Sequence, residues 1–265
     1  MAEADFLISM IIFIIPTYNE EKNILSLLVK LSGYLSERKW PYKILIINDG
    51  STDQTLQVVA SLKNNISIEV FSHYPNKGIG ETFRLGFQEA VRVANDQDII
   101  VTLEADNTSD LIILNKLLDK IQEGCDVALA SCYAPGGGVQ GTTLFRKILS
   151  LGANTLLKLF IPLKGIHTYS SFYRAYRAKA IKDLYYRYRS HFIQEDGFEC
   201  MVELLIKCAF HGLKIDEVPM MLDGKQRRGK SKMKILKTLF GFLRVILKYG
   251  ILNKRIENYQ LKESS

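Results

Sequence analysis

The stretch MIIFIIPTYNE, residues 10–20, joins a run of apolar residues to a short polar segment. A run this rich in isoleucine predicts a buried strand, and the helical spacing of apolar residues after it predicts a helix. Short apolar runs and amphipathic stretches keep alternating through the first half of the chain, which is typical of βαβ units around a parallel sheet. The predicted strands are Met10 to Ile15, Tyr42 to Ile47, Ser67 to Ser72, Asp98 to Leu103 and Cys125 to Ser131, and the predicted helices are Glu21 to Ser36, Asp53 to Lys63, Gly80 to Ala94 and Asp110 to Glu123.

The second half of the sequence is less regular. Helical patterns at Phe145 to Phe160 and Gly197 to Phe210 flank an aromatic segment from Thr168 to Tyr176, and a strand is predicted from Leu213 to Leu222. The glycine-rich residues Ala134 to Thr143 indicate a flexible loop of the kind that closes over a ligand.

The composition is that of one soluble globular domain. The length of 265 residues suits a single α/β domain, and 47% hydrophobic with 24% charged residues argues against a disordered chain and a multi-span membrane protein. The cysteines lack the spacing of a zinc site and are too sparse for a disulfide framework, so we expect a reducing compartment. They are Cys125, Cys132, Cys200 and Cys208. The acidic first residues and the short Met10 to Ile15 run lead us to expect no cleaved signal and a cytoplasmic protein.

The charge is concentrated at the end of the chain. Residues 224–265 contain twelve Lys or Arg against Glu257 and Glu263, so the overall charge of +7 leaves −3 on residues 1–223. This distribution argues against a nucleic-acid-binding protein and predicts one localised basic surface.

Polar residues follow the predicted strands, at the edge where an open parallel sheet binds its ligand. Four of them are carboxylates: Glu20, Asp49, Glu104 and Asp106. Mg²⁺ and Mn²⁺ prefer oxygen ligands and keep phosphate and water in their shell, so one or two carboxylates suffice to bind a nucleotide diphosphate through the ion. Glu104 and Asp106, two residues apart at one strand end, therefore predict a site for Mg²⁺ or Mn²⁺, and Glu20 and Asp49 remain to bind the ribose and the base.

Other residues near the strand ends have different interpretations. Asp53 and Asp110 are expected to cap helices. The segment after the first strand contains no glycine-rich phosphate loop, which argues against a dinucleotide-binding oxidoreductase. Gly78-Ile79-Gly80 indicates a turn that leads into a helix. Lys77, directly before it, is a candidate for binding a phosphate.

Several strings, taken in order, resemble the family 2 glycosyltransferases of GT-A fold, especially the dolichol-phosphate mannose synthase-like branch that glycosylates polyprenyl phosphates. The resemblance runs from about Ile11 to Lys232. The strings are Pro16-Thr17-Tyr18-Asn19-Glu20, Asn48-Asp49-Gly50-Ser51, Glu104-Ala105-Asp106, Tyr169 to Arg177, Glu217-Val218-Pro219 and Gly229-Lys230-Ser231-Lys232. The first two look like the family's nucleotide-binding motif and base-contacting turn, and the third lies where the family carries its metal-binding Asp-X-Asp.

The resemblance implies a GT-A type α/β fold, with a mostly parallel central sheet flanked by helices, and a metal held by Asp106 and Glu104. Together with Lys77, the candidates for binding the nucleotide sugar are Pro16, Thr17, Tyr18, Glu20, Asp49, Glu104, Ala105 and Asp106. Three departures concern the chemistry. Glu104 replaces the usual first Asp, which makes Asp106 the surer ligand, and Cys132 and Gln226 occupy positions where the family often has arginine.

The acceptor is left open between two classes. A lipid phosphate is already an anion and needs only cations to position it; the candidates are Arg146, Arg174, Arg228 and Lys232. A glycan hydroxyl needs a general base, and by resemblance Asp196 stands where many family members keep one. Arg174, Asp106 and Asp196 are the catalytic candidates, while capping of a helix near Gly197 is an equal alternative for Glu195-Asp196.

The last helical pattern, Ser231 to Leu252, places Lys234, Lys237, Gly241, Arg244 and Lys248 along one face and apolar residues over the rest. This arrangement favours an amphipathic helix lying on an anionic membrane, with packing on the domain as the alternative. We therefore expect a GT-A domain over residues 1–230 and a basic amphipathic helix and tail over 231–265.

These observations lead to one hypothesis with two competitors. We expect an inverting, metal-dependent glycosyltransferase on the cytoplasmic face of a membrane, using a UDP- or GDP-linked sugar and a polyprenyl or dolichyl phosphate acceptor. The competitors are transfer to a glycan hydroxyl with Asp196 as base, and a catalytically silent subunit that binds a nucleotide sugar or the membrane. A membrane-protein partner or a homo-oligomer fits each of them.

Overall fold

Every residue of the first strand, β1 (Ile11–Thr17), is buried. Ile12 and Ile14 belong to one hydrophobic core, whereas Ile11, Phe13 and Ile15 belong to another. Alternate side chains of a strand point to opposite faces of the sheet, so β1 is covered on both faces, and such strands have continuous apolar sequences. The computed structural model describes residues 9–229 and 237–250.

Helices and strands alternate up to the fifth strand, as the sequence predicts. The further strands are β2 (Tyr42–Asn48), β3 (Ile68–Ser72), β4 (Ile99–Thr102), β5 (Val127–Ser131), β6 (Gly138–Gln140), β7 (Arg174–Arg177), β8 (Ile215–Pro219) and β9 (Met221–Asp223). The helices are α1 (Ile24–Glu37), α2 (Thr55–Leu62), α3 (Ile79–Val93), α4 (Ile112–Gln122), α5 (Leu144–Phe160), α6 (Ala178–Tyr188) and α7 (Cys200–Phe210). A further helix, α8, is described over residues 237–250.

Within the described part of the chain, the main sheet has seven strands in the order β3-β2-β1-β4-β7-β5-β8. Only β7 runs antiparallel to its neighbours, β4 and β5, and every other pair in this sheet is parallel. A second, two-stranded sheet joins β6 to β9. The predicted α/β fold with a mostly parallel central sheet is therefore confirmed.

Three features of the second half differ from the prediction. The aromatic segment contains β7, and α6 follows it where the sequence predicted no element. The single strand predicted from Leu213 to Leu222 is two strands, because Met220 accepts a hydrogen bond from Gly138 and donates one to Ser131, so the chain passes there from β5 to β6. The loop predicted between Ala134 and Thr143 accordingly contains β6.

Helix α8 is held by two carboxylates, one on α7 and one in the segment just before it. Glu195 accepts a bond from Arg244 at 3.1 Å and lies 3.5 Å from Lys248. The fully buried Glu203 accepts bonds from Lys248 at 3.2 Å and from the Tyr249 hydroxyl at 2.8 Å. We call these contacts the α7–α8 clasp. They show that Arg244 and Lys248, expected on a membrane-facing surface, bind carboxylates of the same chain.

Glu203 is also paired within its own helix. Lys207, which is equally buried, donates to it at 2.8 Å, and the backbone N–H groups of Gln194 and Glu195 donate to its other oxygen at 2.7 and 2.9 Å. Burial by itself raises the pKa of this carboxyl, but the Lys207 ammonium and the two N–H donors outweigh burial and hold the pKa below its usual value.

The apolar residues of α8 divide between the core and the surface. Phe242, Val245, Ile246 and Tyr249 join the core that also contains residues of α3, α5 and α7, whereas Phe240, Leu243 and Leu247 are 68%, 48% and 67% exposed. Among the described helices, none has the length and apolarity needed to cross a bilayer. The predicted boundary at residue 230, and Lys234 on the predicted basic face, lie outside the described residues.

Candidate active site at the carboxyl edge of the sheet

The loops after β1 and β2 are tied together at the carboxyl edge of the sheet. Asn19, at a left-handed φ of 52°, accepts a bond from the Thr52 N–H at 2.7 Å, and its own N–H donates to the Ser51 hydroxyl at 3.0 Å. The Glu20 N–H donates to the Thr55 hydroxyl at 2.8 Å. The two segments predicted to bind the nucleotide therefore form one surface, and it includes the buried Pro16 and Thr17 and the partly buried Tyr18 and Glu20.

The carboxylate of Asp49 shapes the neighbouring loop. It accepts bonds from the backbone N–H groups of Lys77 at 2.7 Å and Gly78 at 3.0 Å, and from the Asn76 amide at 2.9 Å. At Gly50, with φ +68°, a Cβ would lie 2.8 Å from the Asn76 nitrogen, so only glycine allows this approach. Asp49 thus holds the loop that presents the exposed Lys77, and direct contact of Asp49 with a nucleotide stays a prediction.

Asp106 and Glu104 lie just beyond β4, as the sequence predicts. One oxygen of Asp106 accepts the Thr108 N–H at 3.0 Å and the Thr108 hydroxyl at 2.6 Å. Its other oxygen accepts the Arg227 Nε at 2.7 Å and the Arg227 Nη2. Ala105 between the acids is buried. The acidic pair is therefore anchored to its own loop and is approached by a cation from the far end of the chain.

The charges around this pair act on one another. Burial raises the pKa of Glu104 to about 8; the charges of Asp106 and, more weakly, Glu20 also raise it, and Arg227 opposes them. Glu20 is thus close enough for its charge to be felt at Glu104. The structure therefore places Glu104 and Asp106 at the end of β4, within electrostatic reach of Glu20 beyond β1, while Asp49 holds the adjoining loop.

This set of donors fits a divalent cation. The described residues contain no cluster of three or more His, Cys, Asp or Glu side chains around a common point, but Mg²⁺ and Mn²⁺ are commonly held by one or two carboxylates together with phosphate and water. The pKa of Glu104 is raised partly by the charge of Asp106, so a positive charge beside the pair favours ionisation of both acids, and Arg227 supplies one at Asp106. Asp106 and Glu104 are the residues that would hold the ion.

A cavity of about 930 Å³ adjoins the acidic pair, since Glu104 and Arg227 are among its walls. Much of the remaining wall is apolar and comes from α5, α8 and the segment before β7. Cationic side chains also line it. The apolar residues include Leu149, Ala153, Leu157, Phe172, Phe198, Leu239 and Phe242, and the cations are Arg146, Lys147, Lys225 and Arg227.

A family model described as glycosyl transferase family 2 matches residues 12–185, which contain the joined loops after β1 and β2 and the acidic pair. The chain belongs to glycosyltransferase family 2. Within this family it is 30% identical over 234 residues to a dolichol-phosphate mannosyltransferase of Pyrococcus furiosus, a match that covers 88% of the chain and 61% of that protein. It is also 30% identical to a polyprenol monophosphomannose synthase of Mycolicibacterium smegmatis, over 83% of the chain and 79% of that protein.

Solved structures share the fold of this chain. A glucosyl-3-phosphoglycerate synthase of Mycobacterium tuberculosis, solved with Mn²⁺, UDP and glucosyl-3-phosphoglycerate, superposes with a TM-score of 0.63 at 18% identity, covering 92% of this chain and 78% of that one. S. aureus TarS, solved with UDP-GlcNAc, superposes with a TM-score of 0.59 at 20% identity, covering 92% and 66%.

The structure corrects the role that the sequence predicted for Arg174. The side chain is fully buried, and it donates to the backbone carbonyls of Ser171, Met201 and Tyr169 at 2.7, 2.8 and 2.9 Å. A guanidinium that spans three buried carbonyls has no access to a phosphate. The catalytic and acceptor-binding roles predicted for Arg174 are therefore wrong, and the residue instead joins β7 to α7.

Asp196 lies at the start of α3 and not at the start of α7. Its carboxylate accepts a bond from Arg84 at 2.7 Å, and its carbonyl accepts the Gly80 N–H at 3.0 Å. Helix α7 begins at Cys200, and no described hydrogen bond from the Glu195 or Asp196 side chain caps it. The capping alternative is therefore wrong, and the role of Asp196 as a base stays a prediction.

The other acceptor candidates have different surroundings. Arg146 lines the cavity, Arg228 is exposed, and Lys232 lies outside the described residues. The sequence reasoning did not assign Arg227, Lys147 or Lys225 to the site. A basic run directly after a predicted strand was the available signal for Arg227 and Lys225, but it did not tell which side chain points to the acidic pair.

Proposed function

We propose that the chain is an inverting, metal-dependent glycosyltransferase that moves a sugar from a nucleotide diphosphate to a polyprenyl or dolichyl phosphate at a membrane surface. The observation that carries the proposal is that Glu104 of the acidic pair lines a large cavity with apolar walls and cationic side chains. A nucleotide diphosphate suits the acidic side through a cation, and a lipid phosphate suits the apolar side. The names of the Pyrococcus and Mycolicibacterium relatives support this acceptor class.

On the donor side, the residues position and neutralise the nucleotide. The joined loops 16–20 and 48–53 offer a surface for the base and ribose, and Lys77 stands on the loop held by Asp49. Asp106 and Glu104 would hold Mg²⁺ or Mn²⁺, which when bound offsets the negative charge that grows on the leaving diphosphate. The donor is UDP- or GDP-linked.

On the acceptor side, a lipid phosphate attacks the anomeric carbon without losing a proton first, so the residues need only to align it. Arg146, Arg228 and Lys232 are the proposed phosphate contacts. The bond between Asp196 and Arg84 supports this acceptor over a glycan hydroxyl, because it occupies one oxygen of the carboxylate that would have to accept the hydroxyl proton.

Helix α5 supports docking on an anionic membrane from the cytoplasmic side. Seven of its large apolar side chains are at least 43% exposed: Leu144, Phe145, Ile148, Leu151, Leu156, Leu159 and Phe160. Together with Phe240, Leu243 and Leu247 of α8 they form an apolar surface that a bilayer would cover. The exposed Lys147 and Lys164 lie on or next to α5 and complement anionic headgroups.

The test is a transfer assay on the purified chain in vesicles that contain polyprenyl phosphate, with a panel of UDP- and GDP-sugars, Mg²⁺ or Mn²⁺, and an EDTA control. We expect transfer that EDTA abolishes and that Asp106→Asn lowers by at least about 100-fold. Asp196→Asn is expected to retain lipid-phosphate glycosylation. Loss of that reaction together with transfer to a glycan hydroxyl in the wild type would favour the base mechanism, and no turnover with any donor would favour the silent subunit.

A further inference from the structure

Arg227 stands on the carboxylate that would hold the metal ion. It approaches Asp106 through Nε and Nη2, both on the oxygen that Thr108 leaves open. Asp106 has only 8% of its side chain exposed, and Arg227 has 28%. The contact is therefore partly desolvated, which makes a charge-assisted hydrogen bond stronger than it is at the surface.

The segment that carries Arg227 is fixed in place by the loops of the donor site. The side chain of the buried Asn23 accepts the Arg228 N–H at 2.9 Å and donates to the Arg228 carbonyl at 3.0 Å. The same amide donates to Glu20 at 2.6 Å, and its backbone carbonyl accepts Asn107 at 3.0 Å. Asn23 thus joins the segment after β9 to the loops after β1 and β4, so the position of Arg227 belongs to the architecture of the site.

A divalent cation and the Arg227 guanidinium would compete for the same carboxylate, that of Asp106. Like charges a few ångströms apart repel strongly where water is scarce, and one oxygen of Asp106 is already engaged by Thr108. A cation bound between Asp106 and Glu104 would therefore require Arg227 to leave. Arg227 also lines the cavity assigned to the acceptor, so a guanidinium released from Asp106 would lie within reach of an acceptor phosphate bound there.

We propose that Arg227 is a resident counter-ion that the divalent cation and its nucleotide diphosphate displace, and that the displaced guanidinium then positions the acceptor phosphate. This inference rests on the proposed function. It makes donor and acceptor binding ordered, because the acceptor gains its cation only after the donor site is filled. Arg227 is a positioning residue in this scheme, and no bond to it is made or broken in the reaction.

The first test measures Mn²⁺ binding without nucleotide, by the electron paramagnetic resonance signal of the free ion. We expect Arg227→Gln to bind Mn²⁺ at least about tenfold more tightly than the wild type, since the competing charge is gone. Arg228→Gln is the matched control and should stay within about twofold, because Arg228 contacts Asn23 through its backbone. Arg227→Lys, which keeps the charge but lacks the two-nitrogen contact, should fall between. Equal Mn²⁺ affinity in the wild type and Arg227→Gln would overturn the displacement.

The second test separates this inference from the proposed function. Asp106→Asn should abolish Mn²⁺ binding both in the wild-type chain and in the Arg227→Gln variant. If Asp106→Asn binds Mn²⁺ as tightly as the wild type, the assignment of Asp106 as a metal ligand is wrong. In the transfer assay, Arg227→Gln should raise the KM for polyprenyl phosphate about tenfold or more and leave the KM for the sugar donor unchanged or lower. An unchanged acceptor KM would refute the second role of Arg227, whatever the metal data show.

Discussion

Replacing Glu203 by alanine removes the centre of the α7–α8 clasp. The carboxylate is fully buried and serves Lys207, Lys248, the Tyr249 hydroxyl and two backbone N–H groups. Truncation leaves the buried Lys207 ammonium without its carboxylate, and removing one member of a buried ion pair costs about 3–5 kcal/mol. For a chain of this size, each kcal/mol shifts the melting temperature by about 2–4 °C, so we expect a fall of about 6–20 °C.

The control for Glu203→Ala is a variant of a second i,i+4 ion pair, which lies on the exposed surface of α6. Lys179 and Asp183 are 3.3 Å apart, with 59% and 69% of their side chains exposed. Asp183→Ala should cost less than about 1 kcal/mol, because solvent screens exposed pairs. Both variants are measured by calorimetry and by urea unfolding, with Glu203→Gln added to keep the volume while removing the charge. Equal losses in Glu203→Ala and Asp183→Ala would refute the reasoning that burial makes this clasp strong.

Three further predictions concern pH, a buried arginine and the membrane. Because the pKa of Glu203 is held low in the folded state, the stabilisation it provides is present above the unfolded pKa of about 4.3 and is lost as the pH falls through the folded pKa. The free energy of unfolding, measured in urea between pH 7 and pH 3, should therefore fall less steeply in Glu203→Gln than in the wild type. Arg174→Lys should lose about 2 kcal/mol or more, because one ammonium cannot reach three carbonyls, whereas Arg92→Lys on the surface should lose less than about 0.5 kcal/mol by the same measurement. The double variant Ile148→Ser and Leu151→Ser should keep its melting temperature but bind anionic vesicles at least about tenfold more weakly in sedimentation, and unchanged binding would contradict a membrane role for α5.

The local features of the fold were predictable from the sequence. Strands β1, β2, β4 and β5 were predictable because apolar runs covered on both faces leave a continuous pattern. The partly exposed edge strand β3 was predictable from its β-branched residues. Asp53 and Asp110 were predicted to cap helices, and both accept N–H groups at helix starts, from Thr55 and Ile112, each at 3.0 Å. In these cases the partners lie within a few residues of one another, so the pattern and the contact coincide in sequence.

Features that depend on distant partners were not predictable. Strand β7 has arginine at both ends, and a strand with two charged ends is not expected to be buried. The structure explains the burial of Arg174, because its guanidinium donates to distant backbone carbonyls such as that of Met201. Arg227 meets Asp106 across 121 positions. The basic face of α8 was interpreted for a membrane because the carboxylates that Arg244 and Lys248 meet lie about 50 residues earlier in the chain. A charge pattern shows which side chains can form ion pairs, but the fold determines which oppositely charged residues lie next to them.

The position of β5 between β7 and β8 affects how the chain is made. Both neighbours of β5 come later in the sequence, so the strand that ends at Ser131 has no neighbour in the sheet until β7, which ends at Arg177, has left the ribosome. Its second neighbour, β8, follows later still. At about 5–20 residues per second, the 46 positions from Ser131 to Arg177 take roughly 2–9 s to synthesise. During that interval the strands β1 to β4 already have one another as neighbours, whereas the apolar β5 waits unpaired. Nascent chains that stall in this window would expose the segment a chaperone should recognise.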